Sequence, residues 1–368
     1  MSPLDPRPSA PRSPWQLFYG GVHRLRRRWY RRRARRLPRP VISIGNLHWG
    51  GAGKTPLVSA VGRHLQHRGL QVAVLSRGYG GSGKGVRMVS TGEGPLLGPT
   101  VAGDEPVLLA GEMPGVAVVV GPDRYQDGFH ALERLSPQPQ IFLLDDGFSH
   151  LALHRDLDLL VFPASDPFAG GRLWPGGRLR EPLASSARAH AALLTGAKLA
   201  GADSEAPEQA QALAAALRPF GFDGPAFVST TEARPARLHR GDELAAGSRV
   251  LLVAAIARPE RFRASAEAEG FTVAGELFLP DHHPYPEATL QRIAKTFRES
   301  GADAVLTTSK DRVKLHGRLE DADGGPVPLA ELPVRAEPEP AFWSWLDEEV
   351  DGLLAREEPK QRREETDP

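Results

Sequence analysis

The sequence predicts an α/β protein: a doubly wound parallel sheet, a second, smaller α/β domain, and an N-terminal helix suited to a membrane interface. Three observations predict it. From residue 40 onward, short continuous runs of Val, Ile and Leu alternate with helical patterns, as expected of strands buried on both faces by helices. The first run feeds a glycine-rich loop that ends in Lys54-Thr55, a sequence that cradles phosphate between a strand and a helix. Before both, residues 1–40 carry twelve Arg and one acid, Asp5, a charge of +11.

The body beyond the arm holds 34 bases against 44 acids, or −10, so the overall charge of +1 hides a basic arm on an acidic body. Such an arm suits an anionic partner, lipid headgroups or nucleic acid. Ser13-Pro14 reads as a helix start. Trp15, Phe18, Val22, Leu25 and Trp29 then follow at spacings of three and four, one face of a helix. Nine Arg lie between Arg24 and Arg36. An apolar face beside a dense Arg face is the pattern of a helix lying in the interface of a membrane. A helix packed on the body, or a loose basic arm, is the plainer alternative, and Gly20-Gly21 weakens the helix. No nucleic-acid module follows the arm, so nucleic acid is not expected as a partner.

Composition excludes several chemistries. Of the 368 residues none is Cys, which removes disulfides, thiolate metal sites and cysteine nucleophiles and fits a reducing compartment. No run of eighteen apolar residues occurs, so no spanning helix is expected. The first residues lack the order of a secretory signal. A peripheral protein on the cytoplasmic face of the inner membrane is the expectation.

Strands are expected at 41–45, 72–76, 116–121, 141–145, 157–162 and 191–195. A later group is expected at 226–229, 249–256, 271–277 and 304–308, with helices near 259–269 and 287–300. The polar, turn-rich stretch 231–248 marks a junction. The expected organisation is an arm (1–39), a phosphate-loop domain (40–230), a C-terminal α/β domain (231–350) and a charged, disordered tail (351–368).

The strongest local signal is PVISIGNLHWGGAGKTP at 40–56. Gly50, Gly51, Ala52 and Gly53 let backbone N–H groups point at phosphate, Lys54 reaches the terminal phosphates, and Thr55 offers an oxygen to Mg²⁺. The strict P-loop spacing is not met, because His48 stands at its first position. A P-loop needs an acidic metal partner at the end of a neighbouring strand. IFLLDDG at 141–147 supplies Asp145 and Asp146, one for the metal and one to face the acceptor.

With both motifs placed, the chain resembles the tetraacyldisaccharide 4′-kinase family, which phosphorylates the lipid A disaccharide. The likeness rests on SIGNLHWGGAGKTP, LSRGYGG (75–81), GDEP (103–106), LLDDGFSH (143–150), RDLDLLVF (155–162), LREP (179–182), PDHHPY (280–285) and TTSKDRVKL (307–315), in the family's order. It implies a P-loop kinase-like fold, ATP and Mg²⁺ as cofactors, and the 4′ hydroxyl of a tetraacylated glucosamine disaccharide 1-phosphate as acceptor. Asp104 then takes the hydroxyl proton with His282 as its partner, a competent arrangement at neutral pH. The plainer role for Asp104 is a helix cap near Pro106; for His282 it is that of an ordinary structural histidine. Arg77 and Arg124 resemble positions that meet anionic phosphate. His150 and Asp146 resemble residues near the acceptor, and Glu181 resembles an acid near the metal. The anionic membrane surface is the implied second partner; protein partners are not indicated.

The chain departs from the family pattern at His48, at Ser149 in place of Gln (a loss of reach toward substrate), at Gly170 in place of Asn, and at Gly177-Arg178. The competing assignment is a membrane-recruited P-loop ATPase switch with no small-molecule acceptor. The GDEP and PDHH residues separate the two, because a switch needs no base for an alcohol.

Overall fold

Why the first strands lie where they do follows from which side each residue faces. In the computed structural model, which describes residues 14–30, 33–197, 205–238, 241–320 and 325–364, strand β1 (Val41–Asn46) leads into helix α2 (Lys54–His67). Ile42 and Ile44 pack with Leu57, Val61 and Leu65 of that helix. Val41, one residue before them and in the opposite phase, packs on the other face with Ala131 and Leu132. Successive strand residues point to opposite faces, so a sheet covered on both sides reads as an unbroken apolar run. Burying each such Leu or Ile stabilises by about 1.5–3 kcal/mol, and these runs hold the sheet.

The chain continues through β2 (Val72–Ser76), β3 (Arg87–Ser90), α3 (Pro99–Ala102), α4 (Asp104–Glu112) and β4 (Ala117–Val120). Then come α5 (Arg124–Arg134), β5 (Ile141–Asp145), β6 (Leu157–Pro163), β7 (Ala191–Thr195), α6 (Glu205–Leu217) and β8 (Ala226–Ala233). With β14 (Val334–Pro338), the strands form one sheet in the order β14-β8-β7-β6-β1-β5-β2-β4-β3. Only the edge strands β3 and β14 pair antiparallel. The chain builds one side of β1 through β2, β4 and β5, then crosses to build the other through β6, β7 and β8. β1 is therefore the switch point, where ligands of open α/β sheets bind.

A second sheet has the order β11-β10-β12-β13-β9. Its elements are β9 (Arg237–Leu238), β10 (Arg249–Ala254), α7 (Pro259–Ala268), β11 (Thr272–Phe278), α8 (Glu287–Ser300), β12 (Ala304–Thr308), α9 (Ser309–Leu315) and β13 (Leu329–Leu332). The expected strands and the two expected helices all occur with ends shifted by at most two residues, except that β8 runs four residues past its expected end at 229, into the stretch expected to be a junction. The short strands β3, β9, β13 and β14 were not anticipated. Each is an edge or near-edge strand whose partner, not its own pattern, makes it a strand.

Two expectations are corrected. The second unit does not run to residue 350, because the chain returns to the first sheet: β14 pairs with β8, and α10 (Pro340–Glu364) packs onto the first core. Residues 351–364 are helical rather than disordered. Phe342, Leu346 and Val350 are fully buried at a spacing of four, which nucleates the helix. Glu, Gln, Lys and Arg are good helix formers and extend it at little cost. Residues 1–13 and 365–368 lie outside the described residues.

Helix α1 (Pro14–Tyr30) forms as expected and runs through Gly20-Gly21. Phe18, Val22, Leu25 and Trp29 are 47–72% exposed; the side chain of Trp15 lies outside the described residues. Among the described residues no helix is long and apolar enough to cross a membrane.

Candidate active site

The glycine loop leaves β1 at the switch point and closes onto α2 at Gly53. That residue has a φ of 76°, a left-handed conformation that glycine adopts without strain. Thr195, at the end of β7, donates its hydroxyl proton to the Ala52 carbonyl at 2.7 Å. A Cβ on Gly53 would stand 3.2 Å from that hydroxyl, so the loop is held by a clamp that admits only a small residue. On the other side, Trp49 N–H donates to the Arg178 carbonyl at 2.8 Å, and Arg180 N–H donates to the Leu47 carbonyl at 2.8 Å. The LREP segment is thus an added strand-like wall of the loop. Its departure at Arg178 touches the loop through backbone, whatever the side chain.

His48 is buried in this wall, edge-on to Phe162. Burial lowers its imidazole to about 4; Arg178 and Lys54 add to this, and the Pro167 carbonyl and Asp166 only partly offset it. At neutral pH it is an uncharged wall residue of the loop.

Lys54 Nζ donates to Asn46 Oδ1 at 3.1 Å and lies 3.4 Å from Asp146 Oδ1. Arg180 donates to both oxygens of Asp146 and to Asn46 Oδ1, the last at 2.6 Å. Burial alone would raise the Asp146 carboxyl, but Lys54 and Arg180 outweigh it and hold it well below the usual range. Asp146 is therefore a fixed anion between two cations.

Asp145 is the buried member of the pair. Ser76 Oγ donates to its Oδ2 at 3.0 Å, while its Oδ1 is buried without a hydrogen-bond partner among the described residues. Burial, reinforced by Glu105 and Asp146, pushes its carboxyl above the usual range. An orphaned carboxylate oxygen behind a P-loop costs free energy unless a cation meets it. Thr55, in the first turn of α2, offers a hydroxyl, so the candidate donors are all hard oxygens, which suits Mg²⁺. Among the described residues no cluster of three His, Cys, Asp or Glu suits a metal, so most of a Mg²⁺ shell must come from water and phosphate, as is usual for that ion.

Glu181 accepts from Ser149 Oγ at 2.6 Å and from Arg188 Nη1 at 3.1 Å. Burial would raise its carboxyl, but Arg188, Ser149 and Ser185 together lower it. Both oxygens are engaged, so its geometry is that of a support for the Ser149 loop, not of an open metal ligand. Ser149 spends its hydroxyl there instead of reaching outward. Gly170 has a φ of 65°, a left-handed conformation that Asn also tolerates, so that departure preserves the backbone.

Arg124 is buried at the start of α5 and lies 3.6 Å from Asp127. Its field and that of Arg77 reach His150, whose imidazole burial and these arginines together with Arg155 lower to about 4. Arg77 and Arg124 thus help keep His150 a neutral imidazole, while Arg124 itself is turned to the Gly121 carbonyl.

Asp104 is the first residue of α4. Gly103 before it has a φ of 92°, and a Cβ there would stand 2.6 Å from the Tyr79 carbonyl. The SRGYGG turn therefore packs directly on GDEP and aims Asp104. Gly103, not Asp104, occupies the cap position of α4, so the expected role of Asp104 as the cap residue is not the one it plays. His282, at a left-handed φ of 61°, brings Nδ1 to 3.5 Å from Asp104 Oδ2. The two residues come from different units.

The family model of tetraacyldisaccharide-1-P 4′-kinase matches residues 11–351. The chain belongs to that family. A tetraacyldisaccharide 4′-kinase of Geobacter metallireducens is 43% identical over 285 residues, covering 77% of this chain and 80% of the relative. The enzyme of the same name from Pelobacter propionicus is 40% identical over 339 residues, covering 86% and 90%. The crystal structure of LpxK from Aquifex aeolicus in complex with ATP matches with a TM-score of 0.69 at 29% identity, over 94% of this chain and 97% of that one. Three residues of the site carried no expectation from sequence: Asn46, Arg180 and Thr195. Asn46 and Arg180 stood inside quoted motifs, so a carboxylate expected at Asp146 was the cue to ask which cations meet it. Thr195 ends an ordinary apolar strand and gave no signal.

Proposed function

We propose that this chain moves the terminal phosphoryl group of ATP to the 4′ hydroxyl of a tetraacylated glucosamine disaccharide 1-phosphate, an intermediate of lipid A synthesis. The observation that carries the mechanism is the approach of Asp104 and His282 at 3.5 Å from separate units. In the reaction the acceptor oxygen bonds to phosphorus as the bond to the bridging oxygen breaks and ADP leaves. Asp104 takes the hydroxyl proton, oriented by His282. Lys54 and the backbone N–H groups of 50–55 hold the transferring phosphate, while Arg77 and Arg124 meet anionic groups of the acceptor or nucleotide. Thr55 and Asp145 would hold Mg²⁺, which supplies neutralisation of phosphate charge. Asp146 fixes Lys54 and Arg180 beside the acceptor, and His150 stands near it as a neutral imidazole.

The exposed apolar side chains of α1, next to its Arg residues, support peripheral attachment to an anionic leaflet at the cytoplasmic face of the inner membrane. Tyr19 OH donates to the Arg180 carbonyl at 3.3 Å, so the arm stands beside the P-loop wall, where a lipid headgroup must enter. Purified protein incubated with γ-labelled ATP and the lipid acceptor in detergent micelles is expected to label the lipid. ADP release without labelled lipid would return the switch ATPase to the lead.

A further inference from the structure

The segment TTSKDRVKL forms the end of β12 and helix α9, and the mechanism so far gives it no duty. Its start is pinned. Asp311 N–H donates to Thr308 Oγ1 at 3.1 Å, and Asp311 Oδ2 accepts from Thr308 Oγ1 at 2.8 Å and from Ala255 N–H at 3.0 Å. Lys310 and Lys314 stand four apart, on one face of the helix. Lys314 Nζ lies 2.8 Å from Asp104 Oδ2 and donates to the His283 carbonyl at 3.0 Å. Lys310 Nζ lies 3.1 Å from His282 Nε2 and 3.1 Å from Asp281 Oδ1. One helix face therefore puts an ammonium on each member of the pair.

We propose that Lys310 and Lys314 are positioning residues of the proton-accepting pair. The proposal rests on the assignment of Asp104 and His282 made above. An ammonium has only donors, so the ring nitrogen it meets must accept. Lys310 thereby leaves the imidazole proton on Nδ1, the nitrogen that faces Asp104. Lys314 holds Oδ2, the oxygen nearest that nitrogen, and leaves Oδ1 to take the acceptor proton. The side chain of Lys314 is only 6% exposed, and burying an ammonium is costly without a paired carboxylate. Asp104 supplies that carboxylate from α4, so the same contact fastens the second unit against the first at the place where the pair must form. Lys310 and Lys314 act through Asp104 and His282 and are not assigned contact with the reacting atoms.

The test measures kcat and the KM for ATP and for lipid acceptor in Lys314→Met, Lys314→Arg and Lys310→Met. Each is made in the native background and with Asp104→Asn, with thermal melting as the check on folding. The single Met variants should lose kcat roughly 10–10²-fold, the scale of orienting partners behind a reacting group, with the ATP KM nearly unchanged. Lys314→Arg should restore part of the loss. In the Asp104→Asn background the Lys314→Met change should cost almost nothing further, because the two act as one unit. Histidine-selective ¹⁵N NMR should show an Nδ1–H tautomer at His282 that is lost in Lys310→Met, a readout that survives even if Lys314→Met fails to fold. Equal losses of kcat in both backgrounds, or losses confined to the ATP KM, would overturn the positioning role. Near-native kcat in Asp104→Asn alone would instead remove the base assignment beneath it.

Discussion

Lys54 bridges Asn46 and Asp146 at the mouth of the loop, so in the proposed mechanism one side chain ties the phosphate position to the acid that would face the acceptor. Lys54→Ala is expected to lower kcat by about 10²–10³, the scale of losing one preorganised donor to developing charge, with the melting temperature little changed; near-normal turnover in a folded variant would remove the P-loop assignment. His48 carries a second prediction. Its folded imidazole is lowered to about 4 by burial, while the unfolded one titrates near 6.5. Stability from keeping it neutral is therefore fully present above pH 6.5 and lost as pH falls toward 4, on the order of 1–3 kcal/mol. His48→Leu should flatten that part of the stability–pH curve; an unchanged acid limb would show that other groups, His150 among them, set it. The P-loop and the acids were legible because their chemistry demands particular residue types at short spacing. Arg180 was not, because its partner Asp146 is thirty-four positions away and nothing local marks the pairing.

Among the elements, α1 was readable from period alone, yet the described residues leave most of its apolar side uncovered. Helices in globular proteins bury their apolar stripe, whereas Phe18, Val22, Leu25 and Trp29 remain largely exposed. Deleting residues 1–36 should release the protein from anionic vesicles and lower turnover on micellar acceptor, with activity on a short-chain soluble acceptor mostly kept. High salt should loosen the intact protein only in part, since screening weakens the Arg contribution and leaves the Trp and Leu side. Co-flotation of the truncated protein with vesicles would place the attachment elsewhere. The edge strands tell the opposite story. β3, β9, β13 and β14 have two to five residues each and lack the continuous Val/Ile/Leu run that announced the buried strands of similar length; they exist because a neighbouring strand offers unpaired backbone.

For the whole molecule, the order of the chain and the order of the fold diverge at its end. β13 lies in the second sheet and β14, one residue later, in the first; Arg234 N–H donates to the Pro333 carbonyl at 2.8 Å across that crossing. α10 then closes the core beneath the P-loop helix: His64 stacks on Trp343 at 4.4 Å, Asp347 accepts from His64 at 2.7 Å, and Phe342 packs against Phe227 at 5.5 Å. A division at residue 230 looked natural in sequence because turn-rich segments mark junctions, and no local signal says that a later segment comes home. The consequence is testable. Phe342→Ala removes a fully buried ring and should destabilise the first unit by about 3–5 kcal/mol, read as a lower denaturant midpoint in the transition that nucleotide shifts upward. Truncation after Leu332, which touches no phosphate-binding residue, should abolish ATP binding, because β8 loses its edge partner and α2 its cover. A truncated protein that binds ATP with native affinity would show that the first sheet is complete without its returning end.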